Sequence, residues 1–155
     1  MSKNTRSADF RKVDVDELDE EKFIDEPEVS QDDDNTDVIS KRESEVKSLT
    51  LGGRNLDALK VSLTDPPIYS KDESAKKRNF DIVLDVLTRF RQSEVEEAVK
   101  KLDSEQVDIL MKYIYRGFAE PTENSCGILL VWHQHAVAVG GIGSIIRVMT
   151  SRKTV

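Results

Sequence analysis

The sequence predicts an all-α protein, in which a compact C-terminal domain of about six to seven helices follows an extended, largely irregular acidic arm. Three observations predict it. Ser-x-x-Glu boxes occur at Ser40/Glu43, Ser70/Glu73 and Ser93/Glu96, each with a Ser able to cap a helix and a Glu able to return the bond. Breaks follow at Gly52-Gly53, Asp65-Pro66-Pro67, Glu120-Pro121 and Gly140-Gly141, residues that end helices because they take left-handed backbone or lack a donor. Charge divides the chain. Residues 1–50 hold 16 Asp and Glu against 8 Lys and Arg, net −8, whereas residues 51–155 hold 14 against 15, net +1.

The arm is assigned to residues 1–39 and the helical core to 40–155. So charged a segment cannot bury enough apolar surface to offset the entropy of ordering its own backbone. Yet Phe10, Val13, Val15, Leu18, Phe23 and Ile24 punctuate it, the composition of a segment that orders along a partner. Asp32-Asp33-Asp34 reads as solvated linker, since the Gly and closing Glu of a calcium loop are missing.

Within the core, a helix is expected over 75–91, where Phe80, Ile82, Val83, Leu84, Val86, Leu87 and Phe90 cover more than half the wheel. Its Lys76-Lys77-Arg78 cluster reads as a solvated face. A second, over 104–117, is amphipathic, with Val107, Leu110, Met111, Ile114, Tyr115 and Phe118 opposite Asp108, Lys112 and Arg116. The stretch 123–139 is apolar all round and the helix 143–151 carries Ile145, Ile146, Val148 and Met149. A core this small cannot cover both fully, so Ile128, Trp132, Ile145, Ile146 and Met149 are candidates for an external docking face.

Catalytic and metal chemistry is not legible. His133 and His135 lie two apart, on opposite sides of a helix, and no third ligand is near in sequence. The glycines at 140–143 lack the Lys of a phosphate loop and follow a helix instead of a strand. No nucleophile elbow occurs, and single Cys126 reads as a small buried residue in a reducing compartment. No cofactor, metal or small-molecule substrate is expected. A net charge of −7 argues against nucleic acid. The start shows no export signal, and residue 2 is Ser where a myristoyl group needs Gly. The longest apolar run, 128–132, is far short of a bilayer span, so no membrane insertion is expected.

Two blocks carry a family resemblance. The arm motif Phe10-Arg11-Lys12-Val13-Asp14-Val15-Asp16-Glu17 with Lys22-Phe23, and the C-terminal Gly141-Ile142-Gly143-Ser144-Ile145-Ile146-Arg147-Val148 with Arg152-Lys153-Thr154-Val155, resemble subunit 5 of the actin-related protein 2/3 complex. Leu110-Met111-Lys112-Tyr113-Ile114-Tyr115-Arg116-Gly117-Phe118 and Trp132-His133 fit the same family. The resemblance implies a non-catalytic subunit of the machine that starts branched actin filaments once a nucleation-promoting factor activates it. It implies a core docked on subunits 4 and 1, an arm that tethers the actin-related protein 2 subunit through Phe10, Arg11, Val13, Val15, Leu18 and Phe23, and contact with actin filaments through the complex. It places the protein in the cytoplasm and cytoskeleton, in actin-rich cell projections. The competing reading is a free-standing acidic adaptor, a chaperone-like binder of basic proteins.

Overall fold

The computed structural model describes residues 32–122 and 125–155, with side chains from residue 37 onward. Six α-helices and no strand occur among the described residues: α1 (Asp32–Leu51), α2 (Asn55–Leu63), α3 (Glu73–Thr88), α4 (Gln92–Lys100), α5 (Ser104–Ala119) and α6 (Ser125–Thr150). The all-α expectation holds.

Helix α1 begins earlier than the sequence suggested. Asp32-Asp33-Asp34 opens it, a composition suited to the positive end of a helix dipole. The expected arm boundary after residue 39 therefore falls within α1, and Ile39, Arg42 and Val46 are buried at helical spacing. The helix stops at Gly53, whose φ of 72° lets Arg54 N–H donate back to the Leu49 carbonyl at 2.9 Å.

The Ser-x-x-Glu boxes do not cap. Ser40 lies inside α1, and Glu43 instead accepts from Lys47 and Arg78, each at 2.6 Å. Asp72, not Ser70, caps α3 by accepting from Ser74 N–H at 2.8 Å, while Ser70 Oγ accepts from Asp72 N–H. Arg91 precedes α4, with Glu94 closing on its N–H at 3.1 Å; Ser93 is already helical and Glu96 pairs with Lys100. The reciprocal box belongs to α5, where Asp103 and Gln106 satisfy each other's backbone N–H. Ser and Glu three apart also occur inside helices, so the pattern marks helix better than it marks the first turn.

One core joins the helices. Helix α1 packs on α2 and α3, α2 on α3, and α6 on α4 and most extensively on α5. Gly117 of α5 permits that last approach, because a Cβ there would lie 2.5 Å from Leu129 Cδ1. Trp132 fills the centre fully buried, edge-on to Phe90 at 5.2 Å, with its indole N–H donating to the Leu87 carbonyl at 3.3 Å. The break expected at Gly140-Gly141 is a kink: Gly141 takes φ 64° and ψ −175°, a backbone state natural only to glycine, and divides α6.

Candidate docking surface

Helix α6 places the candidate surface. Leu129, Trp132 and Ala136 follow one another at steps of three and four and are fully buried against α4 and α5. Leu130 and Val139 of the same half are exposed. Beyond the kink, Ile142, Ile146 and Met149 repeat at steps of four and three, so they share one face, and they are 71%, 56% and 62% exposed. Ile145 and Val148 of this half lie half-buried against the core.

The surface is made of different residues from those the sequence suggested. Ile146 and Met149 are exposed on it, while Ile128 and Ile145 are half-buried. Trp132 is not available to a partner: its ring is enclosed in this domain's own core, and that expectation is corrected. Leu130, Val139 and Ile142 were missed. The signal for Ile142 was present in its spacing to Ile146 and Met149, and counting its neighbouring glycines as turn obscured it. Phe10, Arg11, Val13, Val15, Leu18 and Phe23 lie outside the described residues.

By length and composition α6 could cross a membrane. Its first half is instead the central helix of the bundle, and the kink at Gly141 divides it from the second.

The polar residues around this surface hold structure together. Arg147 on α6 pairs bidentately with Asp108 on α5, at 2.6 and 2.8 Å, and the bond to Asp108 raises the Arg147 pKa. The pair stands at a cleft of about 570 Å3 between α5, α6 and the loop after α2, whose wall includes Pro66, Pro67 and the exposed Tyr69. His133 lies among Tyr115 and Phe118, at ring distances of 5.7 and 6.0 Å, as an aromatic packing residue. Cys126 is exposed, which corrects its expected burial. Lys76 is buried, unlike its neighbours Lys77 and Arg78. Among the described residues no group of His, Cys, Asp and Glu could hold a metal ion.

The family described as the ARP2/3 complex 16 kDa subunit, p16-Arc, matches residues 9–155, spanning both the arm motif and the core. The chain belongs to this p16-Arc family. It is similar to actin-related protein 2/3 complex subunit 5-C of Xenopus laevis, 51% identical over 155 residues and covering all of both chains. The subunit 5-like protein of Homo sapiens is 49% identical over 160 residues, again over the whole of both. Subunit 5 of Dictyostelium discoideum is 45% identical over 117 residues, 76% of this chain and 83% of its own length. The p16-Arc match includes Ile142, Ile146 and Met149, the apolar stripe beyond the kink.

Proposed function

We propose that this chain is a non-catalytic structural subunit of the actin-related protein 2/3 complex, the nucleator of branched actin filaments that responds to nucleation-promoting factors. The helical core docks on subunits 4 and 1 through the second half of α6. The N-terminal arm tethers the actin-related protein 2 subunit through Phe10, Arg11, Val13, Val15, Leu18 and Phe23. The protein works in the cytoplasmic actin cytoskeleton, including cell projections. The observation that carries this reading is the end-to-end identity of about half the residues with subunit 5 proteins. Support also comes from the exposed Ile142, Ile146 and Met149, because an apolar stripe left in water is characteristic of a surface that a partner covers.

Tethering suits the arm's physics. An extended segment of about 31 residues, ending where α1 begins at Asp32, reaches at most roughly 100 Å at about 3.3 Å per residue, several times the width of a small domain. One anchored module raises the effective concentration of the other to around millimolar, so modest apolar contacts suffice. Such a leash lets an actin-related subunit change position without leaving.

Reconstitution of the complex with residues 1–28 deleted tests the two halves of the proposal separately. The truncated core is expected to incorporate normally while the actin-related protein 2 subunit dissociates more readily. Undiminished retention of that subunit refutes the tether, and failure of the core to incorporate refutes docking through the helical domain.

A further inference from the structure

After Ser144, which is fully buried, no residue is buried again until Val155, which is 1% exposed. The intervening ten residues include Ile146 and Met149 of the exposed stripe, and of their apolar side chains only Ile145 and Val148 turn partly inward. A helical segment so thinly packed has little reason of its own to stay in place. Apart from the largely solvated Arg147–Asp108 pair, a kind of contact that contributes little in water, its two ends hold it. At the near end Ser144 Oγ donates to the Gly141 carbonyl at 2.7 Å, and Gly140 sits so close to Ser144 and Val107 that a Cβ would lie 3.0 to 3.1 Å from them. At the far end the non-helical residues 151–155 run across three other parts of the fold.

These crossing contacts form a set. Lys112 of α5 donates to Ser151 Oγ at 3.1 Å, and Arg116 of α5 donates to the Val155 carbonyl. Lys76 of α3 donates to Thr154 Oγ1 at 3.4 Å, and the Lys153 ammonium stands 4.2 Å from the centre of the Tyr69 ring in the loop before α3. The Lys76 and Arg116 side chains are 8% and 12% exposed, and their acidic neighbour Glu73 stands at 3.6 and 3.8 Å with 73% of its own side chain in water. Two largely buried cations thus meet Thr154 and Val155 at closer range than they meet Glu73, which makes this tail part of their solvation.

We propose that residues 151–155 form a releasable strap that fixes the second half of α6 against α5, with Gly141 as the hinge about which that half lifts when the strap lets go. The backbone break at Gly141 separates the second half from the first, so lifting need not unwind the helix around Trp132. The strap thereby sets the direction in which Ile142, Ile146 and Met149 face, and it does so in the free chain, whether or not that stripe docks on a partner.

Hydrogen exchange on the full chain with residues 151–155 deleted tests the strap. Amides of 142–150 are expected to exchange roughly ten- to hundredfold faster, while those of α4, α5 and the first half of α6 keep their rates. The double variant R116Q/V155S, which keeps the chain length, is expected to shift the same amides in the same direction, and it serves as the test where the deletion does not fold. Unchanged exchange at 142–150 overturns the strap. So does acceleration shared equally by all helices, which would make the tail a part of the global core with no hinge.

Discussion

Arg42 on α1 donates to Asn79 Oδ1 on α3 at 2.6 Å, although both side chains are buried. The same guanidinium donates to the Asp65 carbonyl at 2.8 Å, and the Asn79 amide in turn donates to the Tyr113 hydroxyl on α5. One chain of polar groups therefore runs from α1 through α3 to α5 and fixes the angle at which α1 enters the domain. Burial lowers the Arg42 pKa, opposed by the nearby Tyr113 and Asp65.

Because the groups satisfy one another, removing them one at a time should cost more than removing them together. Arg42→Met leaves Asn79 Oδ1 and the Asp65 carbonyl without this donor and is expected to destabilise the chain by about 2 to 3 kcal/mol. Asn79→Leu strands a buried guanidinium and should cost at least as much. The double variant is expected to fall short of the sum by about 1 to 2 kcal/mol. Urea unfolding of the four proteins measures this, and strict additivity would show that the contacts are independent.

Tyr113 makes the same network sensitive to alkali. Burial pushes its hydroxyl up from the usual 10 to about 12, against the smaller opposing effects of Asn79 and Arg42. The folded state thus holds its proton where the unfolded state has lost it. The associated stability is complete below about pH 10 and declines as pH rises from there toward 12. Thermal unfolding between pH 9 and 11.5 should show a steeper fall for the parent than for Tyr113→Phe, which cannot titrate at this position. At pH 8 the Phe variant should itself be less stable by about 1 to 2 kcal/mol, because Asn79 loses its acceptor. Parallel pH profiles would exclude Tyr113 as the source.

The close approach of α5 and α6 at Gly117 predicts a size limit. Gly117→Ala brings a methyl group 2.5 Å from Leu129 Cδ1, so the fully buried Leu129 side chain must shift to admit it. The expected loss is about 1 to 3 kcal/mol, despite the better helix propensity of Ala. Leu129→Ala alone should cost about 2 to 5 kcal/mol through the cavity it leaves. Combined, the two changes should cost less than their sum, since each relieves the other. Melting temperatures of the three variants decide the point, and a stabilising Gly117→Ala would mean that the helices simply move apart.

Helix number, order and stops were legible from Gly and Pro placement and from apolar spacing, because these depend on backbone chemistry within a few residues. The caps were not. Asp72 caps in place of Ser70, and Asp103 caps α5 where no Ser-x-x-Glu box stands, through contacts that a sequence pattern does not rank. Trp132 and Ile146 looked alike in sequence, both apolar positions near the C-terminus, yet one is enclosed and the other 56% exposed. A helical wheel shows which residues share a face and cannot show whether that face meets this chain or another. Lys76 illustrates the same limit: two cationic neighbours in sequence stay in water, while it turns inward toward Thr154.

Ile146 and Met149 separate folding from assembly. Both are exposed in the free chain, so replacing them with Ser removes almost no internal packing, and stability should change by less than about 0.5 kcal/mol each. Burial of the same side chains against another subunit would contribute about 1.5 to 3 kcal/mol apiece. The double variant I146S/M149S should therefore melt like the parent and yet be outcompeted roughly tenfold or more when both are mixed with limiting amounts of the remaining subunits of the actin-related protein 2/3 complex. Leu129→Ala supplies the contrast, since its side chain is fully buried: it should lower the melting temperature strongly while its folded fraction assembles at the parental ratio. Equal incorporation of I146S/M149S and parent would place the docking surface elsewhere on the domain.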